Sequence, residues 1–307
     1  MKAILCTAYG PPDVLQLQEV DKPVPKDDEL LVRIYATTVT AGDVILRSMG
    51  AFQRVVFGLF FGMGKNKILG HELSGEIEAV GRGVTRFELG QPVFASAGSH
   101  GGAYAEYICL PEDGMVAAKP TNLSYEEAAA VPIGGNTALC ILKKGDIRRG
   151  QKVMVYGASG SVGTYGVQLA RHFGAEVTGV CSTANLEMVK SLGAAHVIDY
   201  TQEDFSQSGE TFDVIFDAVG KLPASQGKAA LSEGGVVLST RSATREKPEN
   251  LEYLKELAEA SEIRPFIDRR YPLEQIAEAH RYVETGHKRG NVVITVVHNS
   301  QTKETSE

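Results

Sequence analysis

Cysteine is scarce and unpaired in this sequence. Its four cysteines, Cys6, Cys109, Cys140 and Cys181, form no C-x-x-C pair. That removes the spacing of a zinc ribbon and of a redox dithiol. Their apolar neighbours make buried small side chains the plain reading. Positive charge is short as well. The formal net charge is -7, which speaks against the basic footprint of a nucleic-acid-binding protein. Long hydrophobic runs are missing too. The stretch from Val55 to Met63 is interrupted by glycine and too short to cross a bilayer. The apolar run after Met1-Lys2 stops at Tyr9-Gly10-Pro11-Pro12, too soon for a secretory signal. No internal repeat is visible. The expectation is a cytoplasmic protein that binds neither nucleic acid nor membrane. Its 307 residues, 43% hydrophobic and 22% charged, suit a soluble globular chain of two domains.

What is present is organised around Lys152-Val-Met-Val-Tyr-Gly-Ala-Ser-Gly-Ser-Val-Gly-Thr-Tyr-Gly166. Lys152 to Tyr156 is short, alternating and rich in β-branched residues, so it reads as a buried strand. A glycine-rich turn follows. Val162, Tyr165, Gly166, Leu169, Ala170 and Phe173 then recur at helical spacing, with Gly174 where a C-terminal cap belongs. Strand, glycine turn and helix together are the context of a dinucleotide-binding loop. The spacing is Ala158-x-Gly160-x-x-Gly163, alanine replacing the first glycine. Ala158, Ser159, Gly160, Ser161, Val162 and Gly163 are therefore candidate cofactor contacts. Gly160 lets the main chain approach a pyrophosphate, and Gly163 lets the helix pack close to its strand. The helix N-terminus supplies N–H groups and the positive end of the dipole.

Residues 1–124 read as β-rich. Short runs at Ala3–Thr7, Leu15–Glu19, Glu29–Thr38, Ser74–Val80 and Gln91–Phe94 are separated by glycine and proline turns, which suggests a barrel or sandwich. Ser124 to Ala130 starts a helix, with Ser124 as N-cap and Glu127 completing a capping box. From Lys152 strands and helices alternate. Strands are expected at Glu176–Cys181, His196–Tyr200, Asp213–Asp217 and Val236–Thr240, and helices at Asn185–Leu192, Ser225–Ser232 and Asn250–Ala260. That is a doubly wound parallel sheet. Pro272–Thr285 reads as one amphipathic helix, Asn291–Val297 as a last strand, and 298–307 as a polar, disordered tail.

Further motifs occur in order along the chain. They are Gly70-His-Glu-Leu-Ser-Gly-Glu-Ile-Glu-Ala-Val-Gly81, Gly102-Ala-Tyr-Ala-Glu-Tyr107, Asn136-Thr-Ala138, Leu192-Gly-Ala-Ala-His-Val-Ile-Asp-Tyr200 and Gly290-Asn-Val-Val-Ile294. With the glycine loop, they make the chain resemble the medium-chain dehydrogenase/reductase superfamily, and most of all its zinc-lacking quinone oxidoreductase branch. The resemblance implies an α/β chain in two domains. One is a GroES-like β-barrel domain, 1–124, completed by a returning segment, 268–297. The other is a Rossmann domain, 125–267, with the active site in the cleft between them. The zinc ligand positions of family alcohol dehydrogenases fall on Thr40, on His71 and near Ile133 or Gly134. Only the histidine is a ligand type, so no metal site is expected. His71 is left with a residual metal or proton-handling role, or with an ordinary hydrogen bond in a tight barrel turn.

The resemblance also places other side chains. Thr40 and Asp43 match polar positions at the substrate end. Tyr104 either donates a proton or packs in the barrel. Thr137 and Asn291 match cofactor contacts from the barrel side, Tyr200 matches the adenosine pocket, and Val219 with Gly220 matches the nicotinamide approach. Phe52, Phe57, Phe60, Phe61 and Met63 either roof an apolar pocket or pack as core. The second strand of the Rossmann unit ends Cys181-Ser-Thr-Ala-Asn185 without the acid that usually meets an NAD ribose. Ser182, Thr183 and Asn185 could donate to a 2′-phosphate instead, or simply cap the next helix. This favours NADPH (NADP) as cofactor.

One departure stands out. The segment after Ser242 runs straight into the helix at Asn250, so the sixth sheet strand of relatives is expected to be missing. In relatives that strand pairs across a homodimer, so its loss leaves a monomer open. The resulting expectation is an NADPH-dependent, zinc-independent reductase of quinones or α,β-unsaturated carbonyls. The alternatives are an NAD(P)-dependent alcohol/aldehyde dehydrogenase and a nucleotide-sensing binding protein without turnover.

Overall fold

The computed structural model describes residues 1–49, 67–245 and 247–298. The aromatic residues at 52, 57, 60 and 61, Met63 and the tail beyond His298 lie outside them.

A buried parallel sheet carries the glycine loop. Its strands are β9 (Lys152–Tyr156), β10 (Glu176–Cys181), β11 (His196–Asp199), β12 (Phe212–Asp217) and β13 (Leu231–Ser239), in spatial order β11-β10-β9-β12-β13. Val153, Met154 and Val155 of β9 are fully buried between two neighbours, as a continuous apolar run at the centre of a parallel sheet should be. The chain lays β10 and β11 to one side of β9, then β12 and β13 to the other. The order reverses between β9 and β12, which puts a ligand crevice at their C-terminal ends.

The barrel side is built from eight short strands before the crossover. These are β1 (Lys2–Cys6), β2 (Leu15–Glu19), β3 (Glu29–Thr38), β4 (Lys67–Ile68), β5 (Glu72–Val80), β6 (Pro92–Ser96), β7 (Tyr107–Pro111) and β8 (Val116–Ala118). Two late strands join them, β14 (Ile267–Pro272) and β15 (Asn291–Thr295). β3 is the spine, paired antiparallel with β5, β7 and β15. Each part has its own apolar core, one around Ile34, Leu73, Val93 and Ile294, the other around Val155, Tyr165, Leu169 and Leu254. The returning segment therefore completes the barrel through β15 against Ala36–Thr38.

Several expected boundaries hold, including those of β2, β3, β9 and β10. Ser124 caps helix α2 (Tyr125–Ala129), counting α1 as the earlier Ala41–Ser48, with the reciprocal Ser124–Glu127 bonds formed. Helix α3 (Pro132–Leu142) follows, and α4 (Ser161–His172) ends with Gly174 in the left-handed region at φ +88. Others shift. The helix expected at Ser225–Ser232 is α6 (Ala224–Ala229), after α5 (Leu186–Ser191), because Leu231 already pairs with Phe212 as the start of β13. α7 (Pro248–Glu259) lies close to its expected place. The single helix expected at Pro272–Thr285 is instead a short 3-10 turn, Leu273–Gln275, followed by α8 (Ile276–Glu284). β14 was not expected at all. It carries exposed Arg269 and Arg270, as edge strands often do, and this hid it from a search for apolar alternation. His298 is not free tail: its Nε2 lies 2.8 Å from Ile34 O.

Among the described residues the parallel sheet has five strands, with no sixth beyond β13, which forms the edge. Val236 and Val237 there are 40% and 47% exposed.

Candidate active site

The glycine loop differs sharply from one glycine to the next. A Cβ on Gly163 would sit 2.1 Å from Gly157 O, so close packing of α4 on the loop demands glycine there. Gly157 is left-handed at φ +79, and a Cβ on it would meet Val219 Cγ1 at 2.5 Å. Gly160, the N-cap of α4, has φ -79 and only Gly157 O at 3.6 Å from a built Cβ. Among the described residues nothing requires its bareness, which leaves room for a ligand. The first N–H groups of α4, at Ser161, Val162 and Gly163, have no acceptor within their own helix. Ala158 is fully buried and packs under the loop. An empty approach at a helix N-terminus fits a dinucleotide pyrophosphate.

The loop is fastened to the barrel. Gly290 N donates to Ser159 O at 2.8 Å, and Gly160 and Gly290 form an isolated parallel bridge. Ser161 Oγ donates to Asn291 Oδ1 at 2.6 Å, while Asn291 Nδ2 donates to Phe266 O. Two residues read separately as cofactor contacts thus bond to each other across the seam. Thr137 lies half-buried on α3. After β12, the Asp217 carboxylate accepts from the N–H groups of Val219, Lys221 and Leu222, which shapes the turn holding Val219 and Gly220. Val219 is 43% exposed beside Gly157.

At the end of β10 the hydroxyls are already engaged. Asn185 Nδ2 donates to Ser182 Oγ at 3.0 Å, and Thr183 Oγ1 donates to the Asp199 carboxylate. Tyr200 is largely exposed next to them.

On the barrel side, Thr40 caps α1. Its N–H and hydroxyl both donate to Asp43 Oδ2, at 2.8 and 2.6 Å, and Asp43 N–H returns a bond to the hydroxyl. This is a capping box with aspartate in the usual Glu/Gln place, a weaker signal in sequence, and α1 was missed. Asp43 is fully buried, and its other oxygen binds His71 Nδ1 at 2.6 Å and Gly70 N at 3.1 Å. Burial works to raise the Asp43 carboxyl, but the His71 imidazole and the Thr40 bonds outweigh it and hold it low. Burial works to lower His71, and the Asp43 charge outweighs that and raises it. The ring is thus fixed by one nitrogen, and its Nε2 has no partner among the described residues.

Next to it, Glu72 is fully buried and pushed up to about 7 by that burial, although Thr38 Oγ1 and Ile133 N donate to it. Lys288 is pushed down to about 8 by burial and donates to Gly290 O. Tyr104 lies in the barrel core with no exposure, its hydroxyl 3.2 Å from His280 Nε2. Burial, and then the Asp43 carboxylate beside it, push the Tyr104 hydroxyl well above its ordinary range.

The residues at the family's zinc positions do not fit zinc. Thr40 offers a hydroxyl already spent on Asp43, His71 has one nitrogen spent likewise, and Ile133 offers only its backbone. Catalytic zinc takes three protein ligands. Among the described residues no group of three or more His, Cys, Asp or Glu is poised to hold a metal ion.

With fold and site in view, the comparisons agree. A family model for an alcohol dehydrogenase GroES-like domain matches residues 26–121, and two for a zinc-binding dehydrogenase match 161–257 and 236–294. The 2-methylene-furan-3-one reductase of Solanum lycopersicum is 35% identical, over 96% of this chain and 79% of its own. The NADPH-dependent alkenal/one oxidoreductase, chloroplastic, of Arabidopsis thaliana is 30% identical, over 96% and 79%. The solved quinone oxidoreductase of Coxiella burnetii superposes with a TM-score of 0.84 at 29% identity, over 97% of this chain and 99% of that one. The chain belongs to the medium-chain dehydrogenase/reductase superfamily, among its quinone oxidoreductase-like members. It is an oxidoreductase of small molecules with a nicotinamide dinucleotide as its cofactor. No helix among the described residues is long and apolar enough to cross a membrane.

Proposed function

We propose that the protein reduces quinones or α,β-unsaturated carbonyls without zinc, with NADPH as the hydride donor. The observation that carries this is the loop at Gly160, open to a pyrophosphate and bolted through Gly290 and Asn291 to the barrel that bears the Asp43–His71 pair. The names of the relatives support the substrate class, and one of them names NADPH.

The bound dinucleotide would supply a hydride. The chain's own residues do the rest. The α4 N–H groups would hold the pyrophosphate, and Ser182, Thr183, Asn185 and Tyr200 would border the adenosine ribose. Val219, Gly220, Thr137 and Asn291 border the nicotinamide end. When hydride reaches a conjugated acceptor, negative charge collects on its oxygen and needs a proton. His71 is the proton source in this reading. Its Nδ1 is anchored by a buried carboxylate, so Nε2 can give a proton and be recharged from water. Asp43 and Thr40 position the ring, and Tyr104 holds the barrel wall behind it. No Lewis acid is needed, because the acceptor is electron-poor from the start. Alcohol oxidation would need a metal or a strong base to deprotonate the hydroxyl.

The test is NADPH oxidation against a panel of quinones and enones, with alcohols as controls. His71→Gln should lower kcat for enones by about tenfold or more, with the NADPH Kd unchanged. Turnover of alcohols but not of enones would overturn the reading.

A further inference from the structure

The acid missing from the end of β10 is supplied by its neighbour. β10 and β11 run parallel in register, with Cys181 opposite Asp199. Their C-terminal ends are therefore level, on the side of the sheet where an adenosine ribose would lie in the proposed cofactor site. Asp199 is 8% exposed and closes β11. Thr183 Oγ1 donates to one of its oxygens. Thr201 donates to the other through its N–H at 3.0 Å and its hydroxyl at 2.7 Å.

We infer that Asp199 sets the balance between the two nicotinamide dinucleotides, acting against the 2′-phosphate. The inference rests on the dinucleotide site proposed above. Three features carry it. First, the Thr183 hydroxyl hydrogen is committed to Asp199, so a donor counted toward the phosphate is withdrawn. Second, no salt bridge joins Asp199 to a cation among the described residues. The Thr183 hydroxyl, and then the Thr201 bonds and the Thr183 backbone, hold it ionised below the usual carboxylate range against the effect of burial. Its charge is thus uncompensated. Third, the hydroxyls and backbone N–H groups of Thr183 and Thr201 fill the about four acceptor positions of the carboxylate, which fixes the charge in place at the end of β11. Asp199 therefore repels the phosphate of NADPH and leaves NADH, which has none, unaffected. Ala184 and Asn185 add no positive charge to offset it. The preference for NADPH is narrow for this reason.

The experiment measures dissociation constants of NADPH and NADH by fluorescence titration of the full chain at several salt concentrations. Asp199→Asn should tighten NADPH by roughly five- to tenfold, the scale of removing one repulsive charge near a surface. NADH should stay within about twofold. In the parent protein, added salt should raise NADPH affinity relative to NADH, because screening relieves the repulsion. Circular dichroism checks the fold of the variant, and the salt series decides the matter if Asp199→Asn does not fold. Equal shifts for both dinucleotides in the variant, or a parent ratio that salt leaves flat or drives toward NADH, would overturn the inference. A parent that prefers NADH while Asp199→Asn gains NADPH would sink the NADPH assignment and leave the role of Asp199 standing.

Discussion

Two glycines three residues apart should fail in opposite ways. A methyl on Gly163 would lie 2.1 Å from Gly157 O and 2.9 Å from the Cα and carbonyl carbon of Ala158. Carbon normally stands about 3.3–3.6 Å from a carbonyl oxygen, so loop and helix must part by about 1 Å. The opposing atoms are backbone and cannot rotate away. Overpacking of this kind costs about 3 kcal/mol. In a protein of this size that is a fall in Tm of roughly 5–10 °C. At Gly160 the nearest atom to a built Cβ is 3.6 Å away, and φ -79 with ψ 173 suits a β-branched residue. Valine should therefore leave stability within about 1 kcal/mol, the loss of a fair N-cap being the main cost. It would, however, stand in the pyrophosphate approach, where each added carbon costs about tenfold or more. With three added carbons, Gly160→Val should weaken dinucleotide binding by about a thousandfold. The assays are thermal unfolding without ligand and fluorescence titration with NADPH. Parent-like binding by Gly160→Val would show that the loop does not receive the phosphates. A parent-like Tm for Gly163→Ala would refute the packing argument.

Other outcomes follow from the same structure. The purified protein should carry no stoichiometric zinc, and chelators should leave turnover intact; near-equimolar metal lost together with activity would refute this. His280 should make the barrel acid-sensitive. Burial pushes it down to about 4 from an ordinary 6.5, so below 6.5 the unfolded chain takes the proton first and stability falls as pH drops toward 4. From pH 7.5 to 5 the loss is about 2 kcal/mol. Urea unfolding of the parent should show it relative to His280→Gln, whose carbonyl can still accept from Tyr104. Identical pH dependence in the two would remove the histidine from the account.

Much was legible because it was local. The β9 strand, the glycine turn and α4 follow from β-branched alternation, helical spacing and a left-handed glycine at the end, all within about twenty residues. Ser124 and Glu127 announce their capping box in four residues. That Thr40 and Ile133 are not zinc-ligand types could be read directly from the residue types. The missing sixth strand was visible as a shortened stretch between Ser242 and Asn250.

What the sequence could not determine depends on distant partners. β14 exists because β15 offers it an edge, although its own residues look like exposed loop. Tyr104 and His280 are far apart in sequence, and only the closed barrel brings the hydroxyl to the imidazole. Asp43 and His71 are 28 residues apart and become one unit only when α1 meets the start of β5. Asp199 lies 16 residues beyond Thr183, and parallel pairing brings the acid level with the end of β10. Periodicity and turn chemistry act along the chain, so one sequence shows them directly. Charge and hydrogen bonding at this site act across strands whose register is set by the whole core, and only the folded chain brings those groups together.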